Sequence, residues 1–101
     1  MSFRLSKAAE LDLLNIWRYT CQTWSENQAD KYLDELDAVC SQISSGQLIV
    51  KQMPDVHPDL RYCHHARHYV FWLAEPEPII IAFLHDRMEL VKHLIDRVAD
   101  G

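Results

Sequence analysis

Histidines and arginines in the second half of the chain could carry RNA-cleaving chemistry. Cleavage through a 2′-hydroxyl needs a base for the hydroxyl proton, cations for the developing phosphorane charge and an acid for the leaving oxygen. His68 and His85 could act as base and acid, and Arg61 and Arg87 could hold the charge. The stretch from Leu60 to Ala74 contains no acidic residue, so this part of the chain is locally basic.

Two features of the sequence argue against such a catalyst. The run Tyr69–Leu73, a candidate central strand, contains no cation. The whole chain has ten Lys plus Arg against fifteen Asp plus Glu, a net charge of −5, whereas nucleic-acid binding draws on positive charge along the phosphate track. We therefore predict no catalytic residue and no direct sequence-specific nucleic-acid binding, and we keep a ribonuclease using the residues above as the alternative.

A cluster of potential zinc ligands follows the middle of the chain: His57, Cys63, His64, His65 and His68. Neighbouring residues of a strand point to opposite faces, so His64 and His65 cannot easily bind one ion. The three cysteines lack Cys-x-x-Cys spacing, and we interpret them as reduced thiols. We predict no metal site and, because 101 residues leave little room for an enclosed group, no cofactor.

The first half of the chain predicts a short strand and two helices. Apolar and polar residues alternate over 2–6, the period of a strand. Apolar residues then recur at helical spacing over 6–23 and again over 25–46. Ser25 opens a capping-box sequence, and Gly46 can take the left-handed conformation that ends a helix. Two helices joined this tightly should form an antiparallel hairpin.

The second half predicts a meander followed by a short helix. Residues 47–58 contain two prolines and are expected to form a loop. Three β-rich runs follow: Leu60–His65, His68–Ala74 and Ile79–His85. The third run is apolar at nearly every position, as in a strand that is covered on both faces or covered by a partner. Asp86 and Glu89 have capping-box spacing and predict the start of a final helix.

This order of elements predicts an α+β fold. We expect an N-terminal strand, an antiparallel α-hairpin packed on a mostly antiparallel sheet, and a short C-terminal helix, in a single domain spanning 1–101. Aromatic residues on the apolar stripes, Trp24 among them, are interpreted mostly as core. The residues expected to meet in the core are Ile16, Trp17, Leu36, Phe71, Ile81 and Phe83.

Several segments resemble the ParE branch of the ParE/RelE toxins of bacterial type II toxin–antitoxin pairs. The most specific are Arg67-His68-Tyr69-Val70-Phe71-Trp72 and Leu84-His85-Asp86-Arg87-Met88-Glu89. The opening Phe3-Arg4-Leu5-Ser6 and the pair Asp12-Leu13 also match. The order and spacing of these segments along one short chain carry the resemblance, which spans nearly the whole sequence.

The resemblance implies a toxin that inhibits DNA gyrase by binding it and is neutralised by a cognate, ParD-like antitoxin in a hetero-oligomer. RelE-like relatives instead cut messenger RNA on the ribosome, which is the enzymatic alternative. A third possibility is an inactive chain that retains the fold as a structural partner of the antitoxin. The sequence has no secretion signal and no apolar run of about 20 residues, so we expect a cytoplasmic protein without a membrane partner.

Binding sites follow from the same expectation. Interface energy concentrates in arginines and aromatics, so we predict that Arg61, Arg67 and Arg87 contact the target. Surplus apolar surface usually marks a partner site. The residues expected to bind an antitoxin segment of acidic character are Arg4, Trp17, Arg18, Ile79, Ile81, Leu90 and Leu94.

Overall fold

A computed structural model describes residues 2–46 and 48–100. The elements of these residues, in chain order, are β1 (Arg4–Leu5), α1 (Lys7–Thr23), α2 (Glu26–Ser45), β2 (Lys51–Gln52), β3 (Leu60–His65), β4 (His68–Leu73), β5 (Ile79–His85) and α3 (Leu90–Asp100). The α+β prediction is confirmed. Within the described ranges, no helix is both long and apolar enough to cross a bilayer.

Helices α1 and α2 form the expected hairpin because each terminus is capped by a nearby residue. The Ser6 hydroxyl accepts the Ala9 N–H at 3.1 Å, and the Ser25 hydroxyl accepts the Gln28 N–H at the same distance. Gly46 closes α2 with a φ of 74°, a conformation that glycine adopts without steric cost. These caps leave two residues between the helices, which forces an antiparallel turn.

The sheet has the strand order β1-β5-β4-β3-β2 across the described residues. β1 runs parallel to β5, and the other neighbours are antiparallel. The β4–β5 register shifts by one residue, so that Phe71 pairs with Ala82 while Trp72 pairs with Ile80. This bulge leaves Ile81 without a partner in β4 and places it on the same face as Ala82.

The sheet separates two apolar clusters, which corrects the predicted single core. Ile16, Leu36 and Phe83 pack between the hairpin and one face. Phe71 and Ile81 pack on the other face, under Leu94 of α3 and its neighbours. Trp17 joins neither buried set: it is half-buried, and its indole N–H donates to Asp30 Oδ1 at 2.9 Å across the hairpin. Both faces of β5 are covered, as its apolar run predicts.

Two local predictions were wrong. The connector predicted over 47–58 contains β2, which pairs with the start of β3; its two residues are too few to show a strand period. The first residue of that connector, Gln47, and the terminal residues 1 and 101 lie outside the described residues. Asp86 does not cap α3, which begins at Leu90. Its carboxylate instead lies 3.2 Å from His85 Nδ1, in the turn that follows β5.

Side chains complete the edge of β5 where β1 ends. The backbone of β1 and Ser6 bonds to β5 as far as the Ile80 carbonyl. Beyond it, Arg97 of α3 donates to the Ile81 carbonyl at 2.9 Å, and Asp12 of α1 accepts the Phe83 N–H at 3.0 Å. Arg97 and Asp12 also form a bidentate pair at 2.7 and 2.8 Å. The ion pair therefore bonds backbone groups at the edge of β5 that a longer β1 would bond.

Candidate functional site

A cleft of about 740 Å³ opens between the helical hairpin and one end of the sheet. α1 and the start of α2 form one wall, and the β3–β4 turn with the end of β5 forms the other. Apolar side chains from the hairpin side of the sheet form part of its lining: Ile16 and Phe83. The cleft has the size of a small-molecule or side-chain binding site, and the groups at its mouth determine what it can hold.

Two arginines lie at the mouth of the cleft, on adjacent turns. Arg67 is in the two-residue turn between β3 and β4, and Arg87 is in the turn after β5. The turns are joined by a hydrogen bond from the Asp86 N–H to the Arg67 carbonyl at 3.0 Å. Neither guanidinium forms a hydrogen bond or ion pair with any residue that the structure describes. Both charges are therefore available to a partner.

Exposed aromatic side chains stand opposite these arginines. Tyr19, in the last turns of α1, is 64% exposed, and Trp24, in the helix–helix link, is 67% exposed. Met88, on the sheet side, is 37% exposed. Trp24 was expected in the core, but the stripe that predicts its burial runs past the end of α1, where the chain turns away from the sheet. Large apolar side chains left in solvent beside free arginines are typical of a protein-binding surface.

His68 lies deeper in the cleft and is held by Tyr32. The Tyr32 hydroxyl lies 2.6 Å from His68 Nδ1. Burial lowers the pKa of His68 to about 4, with a further contribution from the neighbouring His85 ring. Burial also raises the pKa of Tyr32. At neutral pH the pair is therefore an uncharged hydrogen bond between a protonated phenol and a neutral imidazole.

His85 faces His68 across the β4–β5 ladder, with ring centroids 5.3 Å apart in an edge-to-face arrangement. Its Nδ1 accepts the Arg87 backbone N–H at 3.1 Å. His85 thereby fixes the backbone of the turn that presents Arg87.

The structure brings together three of the four residues proposed for RNA cleavage. His68, His85 and Arg87 meet at the cleft, but Arg61 lies near the start of β3, roughly 13 Å or more along the strand from the Arg67 turn. Its guanidinium donates to the Pro58 and Leu60 carbonyls at 3.0 and 3.3 Å. Because the pKa of His68 is about 4, its imidazole is a weak base, and almost none of it is protonated to act as an acid at neutral pH.

Two of the potential zinc ligands, His64 and His65, lie on opposite faces of β3. His65 Nε2 contacts Glu35 Oε1 at 2.8 Å on the hairpin side, whereas the His64 ring packs at a tilt against Tyr69 on the other side. Within residues 2–46 and 48–100, no three His, Cys, Asp or Glu residues are arranged to bind a metal. Cys21, Cys40 and Cys63 are free thiols. Burial raises the pKa of Cys40 to about 12 and that of Cys63 to about 11, so both are unreactive at neutral pH.

The residues predicted to bind an antitoxin differ in accessibility. Arg4 and Arg18 are exposed, and Trp17, Ile79 and Leu90 are half-buried. Ile81 and Leu94 are fully buried in the same apolar cluster, which lies between α3 and the sheet. A partner could touch these two only if α3 left the sheet.

Sequence comparison identifies the family of this fold and cleft. A family model described as the ParE toxin of the type II toxin–antitoxin system parDE matches residues 3–90. The chain belongs to the ParE toxin family. The protein called Toxin ParE from Escherichia coli is 35% identical over 99 residues, covering 96% of each chain. Toxin ParE1 from Caulobacter vibrioides is 33% identical over 92 residues, and Toxin ParE1 from Mycobacterium tuberculosis is 29% identical over 94; both alignments cover 91% of this chain and 96% of the relative.

Sequence reasoning missed part of this ParE cleft. Tyr19 carries no signal of its own, because exposed and buried tyrosines look alike in a helical stripe. Met88 lies in the segment Leu84–Glu89 that carries the family resemblance, but it was interpreted as part of a helix start. The sequence feature that could have indicated both residues is their position near the end of an element, where fewer neighbouring residues cover an apolar side chain.

Proposed function

We propose that this ParE toxin inhibits DNA gyrase by binding it in the cytoplasm, and that a cognate ParD-like antitoxin neutralises it. The observation that carries the proposal is the position of Arg67 and Arg87, whose guanidinium groups bond to none of the described residues, opposite the exposed rings of Tyr19 and Trp24. Arginine and aromatic side chains supply most of the energy of protein interfaces. In a ParE family member, such a surface suits capture of a protein target.

Binding rather than bond cleavage is supported by the state of the histidines. An acid–base catalyst works best with a pKa near the working pH. His68 has a pKa of about 4, and its Nδ1 is engaged by Tyr32. His85 uses its Nδ1 to hold a backbone N–H. Both rings act as supports for the turns that present Arg67 and Arg87.

The proposed target contact centres on the two cleft arginines. Arg67 and Arg87 are on neighbouring turns joined by a backbone hydrogen bond, so they can contact one feature of the target together. Arg61 would be a separate, outlying contact, since its guanidinium is bonded to its own loop.

The antitoxin is proposed to cover apolar side chains that the described fold leaves in solvent. Leu11, Leu14 and Arg18 share one face of α1 by their spacing, and Leu11 and Leu14 are both exposed. Val91 and Ile95 form a second exposed pair, on α3. An amphipathic antitoxin segment could bury these residues, with its acidic side chains near Arg4 and Arg18. Contacts with Ile81 and Leu94 would in addition require that α3 be displaced.

The test is a titration of purified toxin into two assays. Supercoiling by gyrase should fall as toxin is added and should recover when antitoxin follows. Messenger RNA on translating ribosomes should remain intact. Cleaved transcripts that His68→Ala or His85→Ala protects would establish the ribonuclease alternative, and failure in both assays despite a folded, antitoxin-binding chain would establish an inactive structural partner.

A further inference from the structure

The interior of the cleft fits an apolar side chain. Ile16 and Phe83 contribute to its lining, and Trp24 and Met88 extend the apolar surface to the mouth. Two acidic side chains of the lining are already engaged, Asp12 with Arg97 and Glu35 with His65, so neither is available to bind a polar group of a ligand. A ligand that inserts must therefore present mainly carbon to the interior.

The rim has the opposite character, because Arg67 and Arg87 bring two positive charges to it, against the one carboxylate of Asp86 in the recess that they line. They share a smaller recess of about 260 Å³ with Tyr19, His85 and Asp86. Two like charges held on adjoining turns favour a partner with negative charge at that point. An occupant with an apolar centre and an acidic border satisfies both parts of the cleft.

Polypeptide suits this pattern better than nucleic acid. Single-stranded nucleic acid is bound along a positively charged groove that follows successive phosphates. Here two cations lie beside the Asp86 carboxylate, on a chain of net charge −5, and the adjacent β4 segment Tyr69–Leu73 carries no cation. Tryptophan, tyrosine, arginine and methionine are the residue types enriched in protein–protein interfaces.

We infer that the cleft receives an acidic segment of the gyrase surface, which inserts one aromatic or aliphatic side chain against Trp24 and Met88 and sets its carboxylates on Arg67 and Arg87. This inference rests on the proposed function and specifies the chemistry of the target surface. It also separates the target site from the apolar α1 and α3 positions proposed for the antitoxin.

The test measures affinity for DNA-free gyrase. The wild-type chain is compared with Trp24→Ala, with Trp24→Phe, with the double variant Arg67→Glu/Arg87→Glu, and with Lys7→Glu as a single charge reversal outside the cleft. Lys7 is exposed at the far end of α1, about 18 Å from Tyr19 at 1.5 Å per residue. Circular dichroism and thermal unfolding establish that each variant is folded.

Trp24→Ala should weaken binding roughly 30-fold, the loss typical of an interface hot spot, and Trp24→Phe should retain most of the affinity. The double charge reversal should weaken binding at least as much. Lys7→Glu should stay within about twofold of wild type. Wild-type binding should also weaken as salt rises, since the rim contact is electrostatic.

Failure of the proposed function and failure of this inference look different. If wild-type toxin does not bind gyrase, the proposed function fails. If wild type binds and the cleft variants bind as Lys7→Glu does, the cleft is not the target site and the inference is wrong. It is equally wrong if the cleft variants keep gyrase binding and lose antitoxin binding, or if they change affinity for DNA alone.

Discussion

Replacing either partner of the Asp12–Arg97 ion pair should destabilise the protein far more than breaking a surface ion pair. Asp12 accepts three hydrogen bonds, two from the Arg97 guanidinium and one from the Phe83 N–H. The side chains are 14% and 19% exposed, so water can replace little of what is lost. Breaking a buried pair by removing one partner costs about 3–5 kcal/mol.

The slight exposure of the pair places the expected cost at about 2–4 kcal/mol for Asp12→Ala and similarly for Arg97→Ala. A domain of this length has a stability of about 5–15 kcal/mol, so either loss is a large fraction. The double alanine variant should fall short of the sum by about 1–2 kcal/mol, because both single variants lose the same bidentate hydrogen bonds. An apolar double replacement, Asp12→Leu/Arg97→Met, should still be destabilised, since the Phe83 N–H loses its side-chain acceptor and the Ile81 carbonyl loses the Arg97 donor and keeps the longer bond from the Ser6 hydroxyl, at 3.4 Å.

Urea unfolding followed by tryptophan fluorescence measures these free energies, provided that the slope with denaturant stays constant among variants. Additive single losses would show that the two side chains do not stabilise one another. A fully stable Asp12→Leu/Arg97→Met variant would refute the idea that the pair completes the edge of β5. Glu10→Ala is a suitable control, because Glu10 is exposed on the same helix.

Three other predictions concern single positions. The free energy of unfolding should fall as pH drops from 6.5 towards 4, because in this window the unfolded chain protonates His68 and the folded protein does not. After screening by solvent, this loss is about 1–2 kcal/mol. His68→Gln should therefore flatten the pH profile of the melting temperature. Ala66→Gly should raise stability by up to about 1 kcal/mol in urea unfolding, since Ala66 has a φ of 52°, and a loss would contradict this reading of the turn. Phe83→Ala should cost about 3–5 kcal/mol by calorimetry, because Phe83 is buried between sheet and hairpin; a change of a few tenths would show that the site repacks freely.

An element of the fold was predictable from the sequence where a single pattern, such as a cap or a hydrophobic period, defines that element. Serine caps, helical spacing and alternating β-rich runs gave α1, α2, β3 and β5 within a residue or two. β2 was not predictable, because it exists through pairing with β3 rather than through its own two residues. The two-sided core was missed because the bulge near Ile81 changes which face consecutive residues occupy, and a sequence period carries no mark of a bulge.

The site was predictable only in part, for a similar reason. Arg67 and Arg87 were predicted to contact the target because they are cations. They lie close together because the turns that follow β3 and β5 are joined by a hydrogen bond. Arg61 satisfies the same chemical rule and lies elsewhere, because β3 carries it away from the turn. Exposure of Trp24 follows from where α1 stops, and the apolar stripe alone predicts burial.

The parallel pairing of β1 with β5 has a consequence for the order in which the chain can fold. The α1–α2 hairpin and the β3–β4–β5 meander join neighbours in sequence, so they close short loops. β1 can pair only when Ile79 and Ile80 are present, and Asp12 can form its ion pair only when Arg97, 85 residues later, is present. Contacts of such long separation form slowly. A chain released by the ribosome before residue 97 could form the hairpin and the meander, which provide the two walls of the cleft. It would still lack the Arg97 guanidinium, which bonds the edge of β5.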